Sequence, residues 1–128
     1  MRKDGALILM HRDDRPGITN SGMITSFGGG IVQGEDAHVA ALREINEETS
    51  LGLKKEDLEF FKKYRKTQAE HGEDWDVYYF IARDIDDSNL KTFEGQGYVV
   101  VKGLEEAQAQ NLSVLMREVI QDFYNTEP

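Results

Sequence analysis

The chain has 128 residues, no cysteine and a formal net charge of −9 at pH 7. This length predicts a single domain, 1–128, with one hydrophobic core, and the lack of cysteine excludes a disulfide scaffold and a thiolate zinc site. The acidic balance disfavours nucleic acid as a partner, and the apolar run at 6–10 is too short for a signal peptide or a membrane span. The lack of cysteine fits a reducing cytoplasm, so a cytoplasmic location is expected.

Hydrophobic periodicity predicts the first half of the fold in chain order. Residues 5–11 form a buried strand that ends in a charged turn at 12–17, and residues 23–27 form a short strand that leads into three glycines. A helix capped by Asp36 runs to about Thr49. Two antiparallel strands follow at 59–67 and 75–82, joined by a turn around 70–73.

The second half is predicted to close the fold with a strand and two helices. Residues 98–101 form the strand, 104–108 a short helix and 112–124 an amphipathic helix. The inward side of this last helix is apolar: Leu112, Leu115, Met116, Val119, Ile120 and Phe123. This order of elements predicts an α/β fold, an α/β/α sandwich with a mixed β-sheet.

The helix that follows Asp36 carries three carboxylates close together. At about 100° per residue, Glu47 and Glu48 each lie within about 60° of Glu44, so the three share one side of the helix. The apolar residues of the other side are expected to face the core: Val39, Leu42 and Ile45. Neighbouring like charges repel, and the helix dipole disfavours acids in the last turns. A hard divalent cation, Mg²⁺ or Mn²⁺, is the simplest compensation, with Glu47 and Glu48 as the best ligand pair.

This stretch resembles the signature of the Nudix (MutT-like) hydrolases, G-x5-E-x7-R-E-U-x-E-E-x-G-U, in which U is a bulky aliphatic residue. The matching positions are Gly29, Glu35, Arg43, Glu44, Ile45, Glu47, Glu48 and Leu51. The one departure is Ser50, where the family usually has glycine. The alternative, a solvated acidic helix, leaves the upstream glycines and Glu35 without an explanation.

The resemblance implies a role for each motif residue. Glu44 is a further metal ligand or the base that deprotonates water, and Arg43 orients the glutamates by pairing with them. A main-chain carbonyl at Gly28 or Gly29 completes the metal shell. The remaining positions are structural: Gly29, Glu35, Ile45, Ser50 and Leu51. Glycine at the position of Ser50 ends the helix in a left-handed conformation, which serine tolerates at about 1 kcal/mol, and Gly52 offers another stop.

Two further features lie outside the signature. The segment of residues 93–97, Phe-Glu-Gly-Gln-Gly, resembles an E-G-Q loop of MutT-type members, which makes Glu94 a candidate metal ligand or base; the alternative is a polar glycine turn. Trp75 and Tyr78 are candidates to stack on a nucleobase, and the alternative for both is the core.

The resemblance implies hydrolysis of a nucleoside diphosphate linked to a moiety X, with a small-molecule nucleotide as the partner. A nucleoside triphosphate, cleaved to a monophosphate and pyrophosphate, is the preferred substrate. ADP-ribose or a sugar nucleotide is the alternative, and a non-catalytic nucleotide sensor is a second class. Nudix chains usually begin with an apolar strand, for which residues 1–4 leave little room. That strand is missing here, encoded upstream, or supplied by the partner in a homodimer.

Overall fold

The computed structural model describes residues 1–18, 20–27, 36–68 and 73–126, with residues 66–68 and 73–75 described as backbone only. A short 3-10 helix at Lys55–Asp57, which the sequence pattern does not predict, precedes the third strand. The other elements, in chain order, are β1 (Leu7–His11), β2 (Ile24–Thr25), α1 (Ala37–Glu48), β3 (Leu58–Gln68), β4 (Glu73–Ala82), β5 (Tyr98–Val101), α2 (Leu104–Gln108) and α3 (Val114–Thr126).

The strands form two antiparallel sheets in the described ranges. One has the order β2-β1-β5, with Leu9 opposite Val99 and Met10 opposite Thr25, and the other is the β3-β4 hairpin. Parallel pairing occurs there as isolated bridges, Arg2 with Ile85 and Ile24 with Leu112. The predicted α/β class and hairpin are confirmed, while the predicted turn at 70–73 falls largely outside the described residues.

The core lies where α3 packs against the β1 sheet and the hairpin. The inward residues predicted for the last helix are buried or partly buried, and Ile120 is the most enclosed of them at 1% exposure. Tyr64 of β3 is also in this core and donates from its hydroxyl to the Asp122 carboxylate of α3 at 2.7 Å. The hairpin is thereby attached to the closing helix by both apolar and polar contacts.

Helix α1 begins as predicted, since the Asp36 carboxylate accepts hydrogen bonds from the N–H groups of His38 and Val39 at 2.9 and 3.3 Å. The expectation that Val39 faces the core is wrong, because its side chain is 50% exposed. The neighbouring position, Ala40, is turned inward instead and is 3% exposed. Leu42 and Ile45 are half-buried.

The end of α1 does not need a left-handed residue at position 50. The chain turns extended at Thr49, whose N–H and hydroxyl both donate to the Ile45 carbonyl at 3.0 and 2.7 Å. Ser50 is not among the residues with positive φ, whereas Gly52 has φ of 61°. The expected alternative stop at Gly52 therefore supplies the left-handed step, two residues later.

The first residues of the chain lie beside the end of β4. The Met1 α-amino group donates to the Ala82 carbonyl at 2.7 Å, and the Ile85 N–H donates to the Met1 carbonyl at 3.0 Å. Burial lowers the pKa of this amino group to about 6. In the described part of the chain, no helix combines the length and apolar character that a membrane crossing requires.

Candidate active site

Arg43 lies between two of the three helix carboxylates. Its Nη1 is 3.0 Å from Glu44 Oε1 and 3.4 Å from Glu47 Oε2. The Glu44 side chain is 17% exposed and the Glu47 side chain 57% exposed, so the two carboxylates differ in their access to solvent. One guanidinium thus restrains two acids that are otherwise mutually repulsive.

Glu48 occupies a different environment at the last position of α1. It is 4% exposed, the most enclosed of the helix acids. A buried carboxylate is costly unless it is hydrogen-bonded, paired or bound to a cation. The Glu48 carbonyl accepts a hydrogen bond from the Phe93 N–H at 2.8 Å, which brings the distant 91–93 segment to the end of the helix.

A short antiparallel contact continues from that bond. Thr49 pairs with Thr92, and the Ser50 N–H donates to the Lys91 carbonyl at 2.9 Å. The Ser50 hydroxyl oxygen accepts the Lys91 N–H at 2.8 Å. Because Glu94 directly follows Phe93, this contact brings the exposed Glu94 close to the carboxyl end of α1.

The stretch of residues 93–97, here called the Glu94 segment, is attached on its far side to the end of β1. The Gln96 N–H donates to the His11 carbonyl at 2.7 Å, and its side-chain amide donates to the Arg12 carbonyl at 2.9 Å. Gly95 approaches so closely that a Cβ there would lie 2.5 Å from the His11 carbonyl oxygen. Glu94 therefore lies between two sets of main-chain hydrogen bonds.

A polar cleft of about 400 Å³ opens beside Glu94. Its lining comes from the end of β1, the following turn and the Glu94 segment: Met10, Arg12, Asp13, Arg15, Phe93, Glu94 and Gly95. The Phe93 side chain is 60% exposed. The sequence pattern places Arg12 and Arg15 in a charged turn and does not reveal the cleft, because nothing local links that turn to residues 93–95.

A larger cavity of about 890 Å³ lies between α1 and the strands. Ile45 and Leu51 of the motif line it, as does Tyr78, which is 36% exposed. Asp76 on the same strand also lines it and is 3.3 Å from the Arg65 guanidinium. Trp75 belongs to β4, but its side chain is outside the described part of the structure.

The donor chemistry of this region suits a hard divalent cation, since carboxylate and carbonyl oxygens are what Mg²⁺ prefers. Within the described ranges, no three His, Cys, Asp or Glu side chains already converge on one point. Arg43 draws Glu44 and Glu47 towards itself, while Glu48 is buried. The predicted Gly28, Gly29 and Glu35 lie outside the described residues.

Comparison with known proteins identifies the fold. The family model described as NUDIX domain matches residues 1–123. A C. elegans Ap4A hydrolase in a binary complex superposes with a TM-score of 0.68 at 21% identity, over 94% of this chain and 85% of that one. The C. elegans Ap4A hydrolase alone gives 0.64 at 20% identity, over 96% and 86% of the two chains.

A third similar structure is RenU, a Nudix hydrolase from M. smegmatis. It superposes with a TM-score of 0.63 at 20% identity, over 96% of this chain and 77% of RenU. The family model and these superpositions confirm the predicted fold and the family resemblance.

Proposed function

The chain belongs to the Nudix family of pyrophosphohydrolases, which act on nucleoside diphosphates linked to a moiety X, and from this premise we propose that it hydrolyses nucleoside triphosphates to monophosphates and pyrophosphate. The observation that carries the proposal is the contact between the carboxyl end of α1 and the Glu94 segment. It brings Glu94, and the cleft that contains Arg12 and Arg15, to the end of the helix that carries the three acids.

The proposed cofactor is Mg²⁺, with Mn²⁺ as a substitute. Its ligands would come from α1, the preceding loop and the segment after Phe93: Glu44, Glu47, Glu48, Gly28 or Gly29, and Glu94. When bound, the ion makes water more acidic and neutralises charge on the phosphoryl oxygens. Arg43 holds Glu44 and Glu47 in place through its 3.0 and 3.4 Å contacts.

In the proposed reaction a water molecule gives its proton to Glu44 or Glu94, and the water oxygen bonds to the α-phosphorus of the triphosphate. The anhydride P–O bond breaks, and its electron pair leaves with the pyrophosphate. A carboxylate that is already oriented lowers the barrier, because no reorganisation is needed during the step. The products are a nucleoside monophosphate, pyrophosphate and the released proton.

The cleft beside Glu94 supports a substrate whose leaving group carries only phosphate, as the pyrophosphate of a nucleoside triphosphate does. In a chain of net charge −9, the cleft places the guanidinium groups of Arg12 and Arg15 beside the carboxylates of Asp13 and Glu94, so its lining is formally balanced rather than acidic. Guanidinium groups match phosphate oxygens in charge and in hydrogen-bond geometry. ADP-ribose and sugar nucleotides end in an uncharged sugar, which gains less from such a cleft. For the nucleobase we propose the larger cavity, with Tyr78 in its wall.

One observation favours a second substrate, a dinucleoside polyphosphate. Phe93 presents a 60% exposed ring at the cleft, where a second nucleobase could stack. Two of the similar structures are Ap4A hydrolases, although at 20 and 21% identity they carry only the fold. The two substrate classes predict different roles for Phe93.

The test is pyrophosphate or phosphate release with Mg²⁺ across nucleoside triphosphates, ADP-ribose, sugar nucleotides and dinucleoside polyphosphates. Glu48→Gln is run beside the wild type, and circular dichroism and the melting temperature establish that it is folded. Turnover of triphosphates that is lost in Glu48→Gln supports the proposal. Phe93→Ala should leave triphosphate turnover near wild type but impair a dinucleoside substrate. Nucleotide binding without turnover by a folded wild type would favour the sensor alternative instead.

A further inference from the structure

We infer that Ser50 is a positioning residue whose hydroxyl holds Glu94 at the end of α1. The inference rests on the proposed function and deepens it, because it gives a role to the one motif position where this chain departs from its family. Ser50 itself is exposed and has no place in the proposed chemistry. Its effect would pass through the main chain of residues 91–93.

Three hydrogen bonds join the end of α1 to residues 91–93, two of them between main-chain groups and one to the Ser50 side chain. The Phe93 N–H to Glu48 carbonyl bond and the Ser50 N–H to Lys91 carbonyl bond, at 2.8 and 2.9 Å, are available to any residue except proline at position 50. The 2.8 Å bond from the Lys91 N–H to the Ser50 hydroxyl requires a side-chain oxygen. Glycine at this position would leave the Lys91 N–H without that acceptor.

The hydroxyl matters because it adds a third hydrogen bond to the two main-chain bonds that hold residues 91–93 at the end of α1. The Glu94 side chain is exposed, and the main chain on its far side is held at β1 by the Gln96 N–H bond to the His11 carbonyl, 2.7 Å long. Loss of the bond at Lys91 would loosen one end of this short segment, while the two main-chain bonds remain. A displacement of about 1 Å in a reacting group can lower a rate by about 100-fold.

A merely structural role is the competing explanation, and an energetic argument separates the two. A hydrogen bond of this kind contributes to the stability of the fold whatever the state of Glu94. A positioning role predicts that the effect on kcat disappears once Glu94 no longer takes part. Two residues that act through one group are non-additive in a double-mutant cycle.

The experiment compares Ser50→Ala, Ser50→Gly and Ser50→Thr, each in the wild-type and the Glu94→Gln background. We expect Ser50→Ala and Ser50→Gly to lower kcat about threefold to tenfold, the factor that one hydrogen bond supplies, with little change in KM. Ser50→Thr, which keeps the hydroxyl, should retain most of the activity. In the Glu94→Gln background, Ser50→Ala should lower kcat no further, although it lowers the melting temperature in both.

The matched control is Thr126→Val, which removes another exposed hydroxyl whose 2.9 Å bond goes to the Asp122 carbonyl on α3. It should leave kcat unchanged. Wild-type kcat in Ser50→Ala, or the same fractional loss with and without Glu94, would overturn the inference.

Amide hydrogen exchange makes the test independent of turnover. Exchange at Lys91 and Phe93 should be faster in Ser50→Ala than in the wild type and slow again in Ser50→Thr. If the wild type turns over no substrate, the proposed function fails, and exchange still decides whether the hydroxyl holds the segment. Unchanged exchange in Ser50→Ala would overturn the positioning role by itself.

Discussion

The Asn46 side-chain amide makes two hydrogen bonds with the main chain of Leu53. Its Nδ2 donates to the Leu53 carbonyl at 2.9 Å, and its Oδ1 accepts the Leu53 N–H at 2.8 Å. Asn46 occupies the variable position between Ile45 and Glu47 of the signature. These two bonds, here called the Asn46 clamp, hold the chain after α1 folded back against the helix. They help the helix to end without glycine at position 50.

Asn46→Ala should therefore destabilise the fold. It removes both bonds and leaves a half-buried main-chain N–H and carbonyl without these partners, so we expect the free energy of unfolding to fall by about 1–3 kcal/mol. Urea titration measures this loss. The control is Asn125→Ala, because Asn125 accepts a single exposed bond from Gln121 at 3.2 Å. Equal stability of the two variants would contradict the clamp.

Arg43→Ala should lower kcat far more than it lowers stability. The guanidinium contacts both Glu44 and Glu47, and a partly exposed ion pair contributes only about 0.2–1 kcal/mol to folding. Misorientation of Glu44 and Glu47, the proposed metal ligands, should by contrast reduce kcat by about tenfold to 100-fold. Arg43→Lys should recover only part of the activity, since lysine lacks the planar fork.

The control for Arg43 is Arg83→Ala, because the 2.8 Å contact between Arg83 and Glu59 joins two exposed side chains at the open end of the hairpin. Steady-state kinetics and urea titration are measured for all three variants. An Arg43→Ala enzyme that keeps wild-type kcat would refute the orienting role.

The Tyr64 and Asp122 pair should make stability depend on pH in the acid range. Hydrogen bonds from the Tyr64 hydroxyl and from Lys62 lower the pKa of the Asp122 carboxyl below its usual range. A carboxyl with a lowered folded-state pKa adds stability above its unfolded pKa of about 3.9. That contribution is lost as pH falls through the folded-state value.

Tyr64→Phe keeps the ring and removes the 2.7 Å bond to Asp122. We expect a loss of about 1–2 kcal/mol at pH 7, which shrinks below pH of about 4 as Asp122 becomes protonated. Thermal unfolding of both proteins from pH 7 to pH 3 measures the difference. The control is Tyr98→Phe, whose bonds to Asp87 are longer, at 3.3 and 3.4 Å. A Tyr64→Phe loss that is constant over this range would contradict the linkage.

Gly95→Ala and Gly97→Ala form a matched pair at the Glu94 segment. Both glycines have positive φ, 78° and 112°, so both variants carry backbone strain. Only at Gly95 would the new Cβ meet the His11 carbonyl oxygen, at 2.5 Å, whereas at Gly97 nothing lies within 4 Å. We expect Gly95→Ala to lose more stability, by about 1–3 kcal/mol, because the backbone must shift.

The same shift should displace Glu94, so Gly95→Ala should also lower kcat more than Gly97→Ala does. Melting temperature and kcat are compared for the two variants. Equal losses in both would mean that the strained φ, rather than the close approach to β1, accounts for the effect.

Much of the fold could be predicted from local pattern. The Asp36 cap, the end of α1 near Thr49, the β3-β4 hairpin and the inward side of α3 all follow from periodicity and end-of-helix chemistry that act within a few residues. The spacing of the motif residues from Gly29 to Leu51 likewise indicates the family without any knowledge of the fold. The expectation that Val39 faces the core is wrong for a physical reason. A helical wheel gives the relative directions of side chains, but it does not decide which of two neighbouring positions packs into the core.

The amino-acid sequence by itself determined the family, most of the elements and the acidic helix, since these depend on neighbours along the chain. Only the tertiary structure decided that Glu48 is buried while Glu47 is exposed, and that Ser50 accepts the Lys91 N–H. It also decided that Arg12 and Arg15 share a cleft with Glu94. These contacts join residues tens of positions apart, and no local periodicity specifies them. They arise when the core closes, because the packing of α3, β1 and the hairpin brings the ends of the separate segments together.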